Sequence, residues 1–272
     1  KIILNKDPNY PKISIVTPSY NQAEILERTI LSVLNQNYPN LEYIIIDGGS
    51  TDGSIEIIKR YEKYLAYWIS EKDEGQSDAI NKGFRKSTGE ILAWLNSDDL
   101  YLMNTLHKVN EAFMINKEIN FLYGHMLLIE KEDNIIRRLY TVPQTYHSYI
   151  YDGGNIFQGT VFWKRKILYK YGMLDKGLKL AMEYKLFDNF FQNEKGYFVN
   201  DILAAYRLHK KAKSHTAPYK LHLAELNSIR KIKSNVILKI YYRFRRIFYY
   251  CVFGNLLKNI NEKLKTFQRL KS

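Results

Sequence analysis

Asp98 and Asp99 stand side by side at the end of a short apolar run, Ile91-Leu-Ala-Trp-Leu95. Adjacent carboxylates repel each other, and the pair is unfavourable unless a cation or a set of hydrogen-bond donors compensates it. A divalent ion shared with a diphosphate would do so, because Mg²⁺ and Mn²⁺ favour one or two protein carboxylates together with phosphate oxygens. The plainer alternative is that one Asp caps the helix that follows, a position that favours this residue. Asp47 poses the same choice, since Asp47-Gly48-Gly49-Ser50 is also ordinary turn chemistry. That segment is neither a dinucleotide fingerprint, Gly-x-Gly-x-x-Gly after the first strand, nor a P-loop, which needs Gly-Lys-Ser/Thr. Glu183 opens a helical stretch, where a carboxylate can accept a hydroxyl proton or merely complement the helix dipole. A lone His209 reads as structural or solvated.

These residues need elements that deliver them to one place. From Ile13 to Leu95 short β-branched runs alternate with helical periodicity, which predicts βαβ units and a largely parallel sheet. Strands are expected at Ile13 to Thr17, Leu41 to Ile46, Ala66 to Ser70 and Ile91 to Leu95. The first helix is expected to be capped by Asn21, with Glu24 completing a capping box, and to bury Ile30, Leu31 and Leu34. A second helix follows Asp52 with Ile55, Ile58 and Tyr61, a third begins near Ser77 with Ile80 and Phe84, and a fourth near Asn104 with Leu106, Val109 and Phe113. Phe121 to Leu139 reads as a hairpin turning at Glu132-Asp133-Asn134, so the complete sheet is expected to be mixed. Arg165 to Tyr171 and Met182 to Glu194 read as helices, Gly172 as a C-cap and Leu203 to Leu208 as a strand. Open parallel sheets bind ligands at the carboxyl ends of their strands. Thr17-Pro18-Ser19-Tyr20-Asn21, Asp47 to Asp52 and Asn96-Ser97-Asp98-Asp99 all lie at such ends.

The chain has 272 residues, 46% hydrophobic and 25% charged, enough for one large α/β domain with an appendage. The single cysteine, Cys251, excludes an internal disulfide framework and a multi-cysteine zinc site, which fits a reducing compartment. The formal charge of +13 is unevenly placed. Residues 207–272 hold 17 Lys and Arg against Glu225 and Glu262, a net of +15, which leaves residues 1–206 at −2. The polar start, Lys1 to Pro11, reads as no secretory signal, and the absent initiator Met as a processed or trimmed chain. The longest charge-free stretch of the tail, Ile247 to Leu257, is shorter than the ~20 apolar residues of a spanning helix.

Taken together, Thr17-Pro-Ser-Tyr-Asn21, Asp47-Gly-Gly-Ser-Thr-Asp52, Gly75-Gln-Ser-Asp-Ala-Ile-Asn-Lys-Gly83 and the DXD-type Leu95-Asn-Ser-Asp-Asp99 resemble, in type and order, family-2 glycosyltransferases with the GT-A fold. The resemblance covers roughly Lys12 to Ser214. It implies an α/β fold with a Rossmann-like mixed sheet flanked by helices, in a catalytic domain at 1–215 with a nucleotide-binding half (12–99) and an acceptor half (100–215). A basic amphipathic helical tail, 216–272, follows. By resemblance Thr17, Pro18, Ser19 and Tyr20 surround the nucleobase and ribose, Asp47 contacts the base within a turn that includes Gly49 and Ser50, and Asp78 lies beside the nucleotide. Asn96, Ser97 and Asp98 meet the ribose and metal region, and Asp99 coordinates Mn²⁺ or Mg²⁺. Many members carry Asp-Asp where this chain has Asp47-Gly48, so one base-reading carboxylate is absent. Leu180-Ala-Met-Glu-Tyr-Lys-Leu-Phe187 resembles the family's acidic helix start and makes Glu183 the catalytic base, although members usually have Asp there. Tyr206-Arg207-Leu208-His209 resembles the closing Tyr-Arg-x-His element, with Arg207 at the diphosphate and His209 as a metal ligand.

The expected activity is inverting, metal-dependent transfer of a hexosyl or N-acetylhexosaminyl group from a nucleotide diphosphate-sugar, UDP before GDP, to a hydroxyl of a lipid-linked saccharide. The residue bias points to envelope polysaccharide work in a low-GC bacterium. Acceptor specificity is assigned to Leu139 to Gln158. In the tail, Lys239, Arg243 and Arg246 share one helical face and Ile237, Phe244, Phe248 and Val252 another, with Arg245 breaking the pattern. Such a helix reads as lying on an anionic membrane surface, which places the enzyme in the cytoplasm at the inner face of the membrane. Three alternatives compete: a nucleotidyltransferase, disfavoured because no Gly-rich loop with Lys or Arg follows the first strand; a non-catalytic sugar-nucleotide binder; and a nucleic-acid binder, disfavoured by the near-neutral body. No nucleic-acid partner is expected.

Overall fold

The computed structural model describes residues 7–151, 156–209, 212, 218–229 and 236–249. Among them nine strands form one mixed sheet in the order β3-β2-β1-β4-β8-β6-β9-β5, with β7 paired to β6. The strands are β1 (Ile13–Ser19), β2 (Leu41–Asp47), β3 (Tyr67–Ser70), β4 (Ile91–Trp94), β5 (Leu100–Tyr101), β6 (Phe121–Ile129), β7 (Ile135–Leu139), β8 (Phe162–Lys164) and β9 (Gly196–Arg207). β3, β2, β1 and β4 run parallel, so their carboxyl ends emerge together. β8 is antiparallel to both β4 and β6, and β6 and β9 pair in parallel.

The parallel strands read as continuous apolar runs because both of their faces are covered. Side chains alternate: Ile13, Ile15, Ile45 and Ala93 join one core with α1 (Ala23–Leu34) and α2 (Ser54–Tyr61). Val16, Ile44, Ile46, Leu92 and Trp94 join the other with α3 (Gln76–Lys86), α6 (Arg165–Tyr171) and α7 (Met182–Asn193). Helix α4 (Thr105–Ile115) adds Leu106, Val109 and Phe113 to the first core. Helix α3 approaches β1 so closely that a Cβ on Gly83 would stand 2.3 Å from Val16 Cγ1. The close approach draws the N-terminal turn of α3 up to the strand ends.

Three local expectations are corrected. Asn21 does not cap α1: it sits at φ 51°, and its side chain accepts the Thr51 N–H at 2.9 Å. The N-terminal amides are met from the next loop, Gln22 N–H by Ser54 Oγ at 3.1 Å and Ala23 N–H by Asp52 at 2.9 Å. Glu24 forms no capping box and pairs with Lys131. Leu31 and Ile55 are half-buried, and Val33 and Ile57 take the core positions. The last strand is twice as long as expected and begins at Gly196. Its polar middle, Asn200-Asp201, masked the alternation, yet it is absorbed by a register shift against β6 at Tyr123/His125, where Asn200 bonds His125 at 3.0 Å. The short β8 and helix α5 (Tyr146–Tyr151) had no signal.

Two tail helices are described, α8 (Tyr219–Ile229) and α9 (236–249). Glu225 of α8 accepts the N–H groups of Lys179, Leu180 and Ala181 at 2.9, 2.8 and 2.8 Å, fixing the turn ahead of α7. In α9, Arg245 donates to the Pro143 carbonyl at 3.0 Å and Tyr242 stacks on Tyr151, so the residue that broke the amphipathic pattern faces the protein. Cys251, Val252 and the expected boundary at residues 215–217 lie outside the described residues.

Candidate active site

At the end of β2, Asp47 is fully buried. It accepts Gly49 N–H at 3.1 Å, Ser50 N–H at 2.8 Å, Ser50 Oγ–H at 2.5 Å and Ser70 Oγ–H at 2.7 Å. Gly49, at φ +82°, closes this turn. Both oxygens of Asp47 are thus engaged, by its own loop and by Ser70 at the end of β3, and this carboxylate shapes the turn. Ser50 Oγ also accepts Asn21 N–H at 2.8 Å, tying the β1 and β2 ends together. Thr17 is buried and accepts from Tyr43 Oη at 3.1 Å. Pro18 pairs with Ile46, the buried Ser19 Oγ has no partner among the described residues, and Tyr20 is 61% exposed. Asp78, in the first turn of α3, faces Lys82 at 3.5 Å and Lys176 at 3.4 Å. Burial pushes its carboxyl up, but the Glu74 N–H and the two lysines outweigh that and hold it below the usual value.

After β4 a polar network sets the loop. Asn96 accepts Gln76 Nε2–H at 2.9 Å and donates to Gln158 Oε1 at 3.2 Å, while Gln158 donates to the Trp94 carbonyl at 2.7 Å. Thr29 Oγ1–H donates to the carbonyls of Ser97 and Asp99 at 2.8 and 2.9 Å. Asp99 is 1% exposed and accepts Arg207 N–H at 3.1 Å. Burial first, and then the neighbouring Asp98, push its carboxyl well above the usual range. His209 Nε2 lies 3.0 Å from Asp98 Oδ2, so the imidazole meets Asp98 and not its neighbour.

Arg207 is not in the wall of the central cavity. It is fully buried, with Nε donating to the Asp98 carbonyl at 2.9 Å and Nη1 to the carbonyls of Glu130 and Lys131 at 3.2 and 2.6 Å, beside the Asp133 carboxylate. The cause is strand alternation: Tyr206 and Leu208 line the central cavity, so Arg207 between them points to the opposite side. The guanidinium braces the Asp98 backbone against the β6–β7 turn.

The cavity measures about 670 Å³. It brings together Asn96, Asp98 and Asp99 from the β4 end with Glu183 from the first turn of α7. Thr17, Pro18, Ser19, Tyr20, Asp47, Gly49, Ser50, Asp78 and Ser97 are not in its wall, and His209 reaches it through Asp98. Gln76, Gln158, Tyr206 and, from the tail, His222 also line it. The first three fall within stretches marked in the sequence, though none carried a role there; nothing local marks His222. Among the described residues no three His, Cys, Asp or Glu side chains are arranged to hold an ion by themselves. The two carboxylates are nonetheless hard oxygen donors of the kind Mn²⁺ or Mg²⁺ takes together with a diphosphate, with the imidazole as a softer donor beside them.

The Glycosyl transferase family 2 model matches residues 14–184. A glycosyltransferase of Rickettsia typhi is 30% identical over 218 residues, 76% of this chain and 67% of that protein. TuaG of Bacillus subtilis, described as a teichuronic acid biosynthesis glycosyltransferase, is 33% identical over 140 residues, half of this chain and 54% of its own length. Among solved structures, S. aureus TarS 1-349 in complex with UDP-GlcNAc superposes with TM-score 0.63 at 18% identity, over 84% of this chain and 69% of that one. The mannosyltransferase PcManGT of Pyrobaculum calidifontis, in complex with GDP-Man and Mn²⁺, gives 0.61 at 19%, over 88% and 70%. A GT-A fold with carboxylates gathered at the strand ends, and a family match over more than half its length, show that the chain belongs to glycosyl transferase family 2.

Proposed function

We propose that this chain moves a sugar, with inversion, from a nucleotide diphosphate-sugar to a hydroxyl of a lipid-linked saccharide in polysaccharide synthesis. The observation that carries the reading is the meeting of Asp98 and Asp99 with Glu183 across one cavity at the carboxyl ends of the strands. Glu183 takes the hydroxyl proton while the acceptor oxygen attacks the anomeric carbon. The bond to the diphosphate oxygen breaks on the opposite face, so no covalent sugar–enzyme intermediate forms. Asp98, Asp99 and His209 would hold a divalent ion, which neutralises the charge of the departing diphosphate when bound. Nucleotide sugars in the TarS and PcManGT complexes, and Mn²⁺ in the latter, support this choice of donor and metal. Release of nucleotide diphosphate from a panel of UDP-, GDP- and dTDP-sugars tests it: one donor is expected to turn over with Mn²⁺ and to stop with EDTA. Turnover that survives EDTA removes the metal, and no turnover of any donor by folded protein with several acceptors removes the transferase mechanism.

The same reading divides the chain into a catalytic unit, 1–215, and a tail, 216–272, that rests on the inner face of the membrane. No helix among the described residues is long and apolar enough to cross a membrane. In α9, however, Ile237, Ile240, Tyr241, Phe244 and Phe248 are exposed at helical spacing beside Lys239 and Arg243, a pattern suited to an anionic lipid surface. The protein is expected to co-pellet with vesicles containing anionic lipid and not with neutral ones; absence of pelleting would remove the membrane contact.

A further inference from the structure

Glu183 stands in the first turn of α7, and the wall of the cavity runs back from it through Met182, Leu180 and Lys179. The residue that leads into α7 is Ala181, whose side chain has no acceptor for the amides around it. The N–H groups of Lys179, Leu180 and Ala181 converge instead on one carboxylate, the first on Oε1 of Glu225 at 2.9 Å and the other two on Oε2 at 2.8 and 2.8 Å. Glu225 is buried. Burial pushes its carboxyl up, but the three N–H groups and His222 outweigh that and hold it below the usual value. Its helix, α8, is seated by Leu226 and Ile229 in the same core as Ala181 and Met182. Three residues before Glu225, His222 lines the cavity itself. The family match ends at residue 184, yet a helix well beyond it gives the cavity one wall residue and gives the turn beside Glu183 its only acidic partner among the described residues.

We propose that Glu225 is a positioning residue for catalysis, holding Glu183 at the distance from the acceptor hydroxyl that proton transfer needs. The proposal rests on the reading of Glu183 as the base, and it carries the working site past residue 215 into α8. Without Glu225, three N–H groups lose their acceptor and the backbone must move to find others. Glu183 follows two residues after the last of them and moves with it. A general base works only within hydrogen-bond reach of its proton, about 2.6–3.2 Å, and a misplacement of about 1 Å costs roughly 10²-fold in rate. Asp98 and Asp99 are held elsewhere, at the β4 end, by Thr29 and Arg207, so donor binding does not depend on this turn.

Steady-state turnover of the full chain tests it, paired with calorimetric titration by UDP or GDP, whichever the donor panel selects, in the presence of Mn²⁺ and well below the melting temperature of every variant. Glu225→Ala is expected to lower kcat about 10²-fold, with nucleotide affinity and the number of binding sites unchanged. Glu225→Gln keeps one oxygen for the Leu180 and Ala181 N–H groups and loses only the bond from Lys179, so it is expected to recover most of the rate. In a Glu183→Gln background there is no base left to position, and adding Glu225→Ala is expected to cost nothing further. Where Glu225→Ala does not fold, Glu225→Asp, whose carboxylate stops one methylene short of the turn, carries the same comparison. Normal kcat in these variants, a further loss of the same size in the Glu183→Gln background, or a fall in kcat matched by a fall in the number of binding sites would overturn the positioning role alone. Normal turnover by Glu183→Gln itself would overturn the base reading and this one with it.

Discussion

Glu183→Gln is expected to bind donor as the wild type does and to lose about 10²–10⁴-fold in kcat, the range for a general base. The amide keeps the size of the side chain and its place in the first turn of α7, but it cannot accept the hydroxyl proton. The turn that carries residue 183 is held from outside by Glu225 through three backbone N–H groups, so the substitution leaves its frame intact. The measurement is steady-state turnover with saturating acceptor, paired with donor binding. Normal kcat would exclude Glu183 as the base. Equal loss of donor affinity would assign the residue to donor binding instead. Glu183→Asp, which keeps a carboxylate on a side chain one methylene shorter, is expected to retain far more activity than Gln.

Asp99→Asn is expected to lower kcat about 10²–10³-fold, the scale of removing one preorganised electrostatic group from a reacting centre. The same change is expected to leave the protein at least as stable as the wild type in EDTA. Asp99 is 1% exposed and stands next to Asp98, and burial followed by that like charge disfavours its ionised form. The sign follows from linkage: a carboxyl held above its unfolded value costs nothing while protonated in both states. The cost appears as pH rises past the unfolded value, about 4, and is complete above the folded one. The melting temperature of Asp99→Asn relative to wild type should therefore match at acidic pH and rise towards neutrality, with the Arg207 N–H still bonded by the amide oxygen. A variant that is less stable than wild type at neutral pH without metal, or one that keeps its activity, would show that Asp99 serves the fold.

Elements that repeat on a short period are legible in the order of the residues alone. The short β-branched runs Ile13 to Thr17 and Leu41 to Ile46, the helical spacing of Ile80 with Phe84 and of Leu106 with Val109 and Phe113, and the turn at Asp133 all survive in the structure. Each depends on neighbours two to four residues apart, a distance at which side chains sharing a face must meet. The order of the residues also places Asp98, Asp99 and Glu183 at element ends, where an open α/β sheet leaves room for a ligand.

What those ends do depends on contacts between distant parts of the chain. Asn21 looks like a cap until Asp52, from a neighbouring loop, takes the α1 amide. Arg207 carries the charge for a diphosphate, but the facing of Tyr206 and Leu208 commits it to the β6–β7 turn. Glu225 reads as one of two acids in a basic tail, yet it anchors residues more than forty positions earlier. Local spacing records which residues share a face of one strand or helix. Which partner waits on that face depends on strand order and loop adjacency, and these follow from burying both faces of the sheet at once.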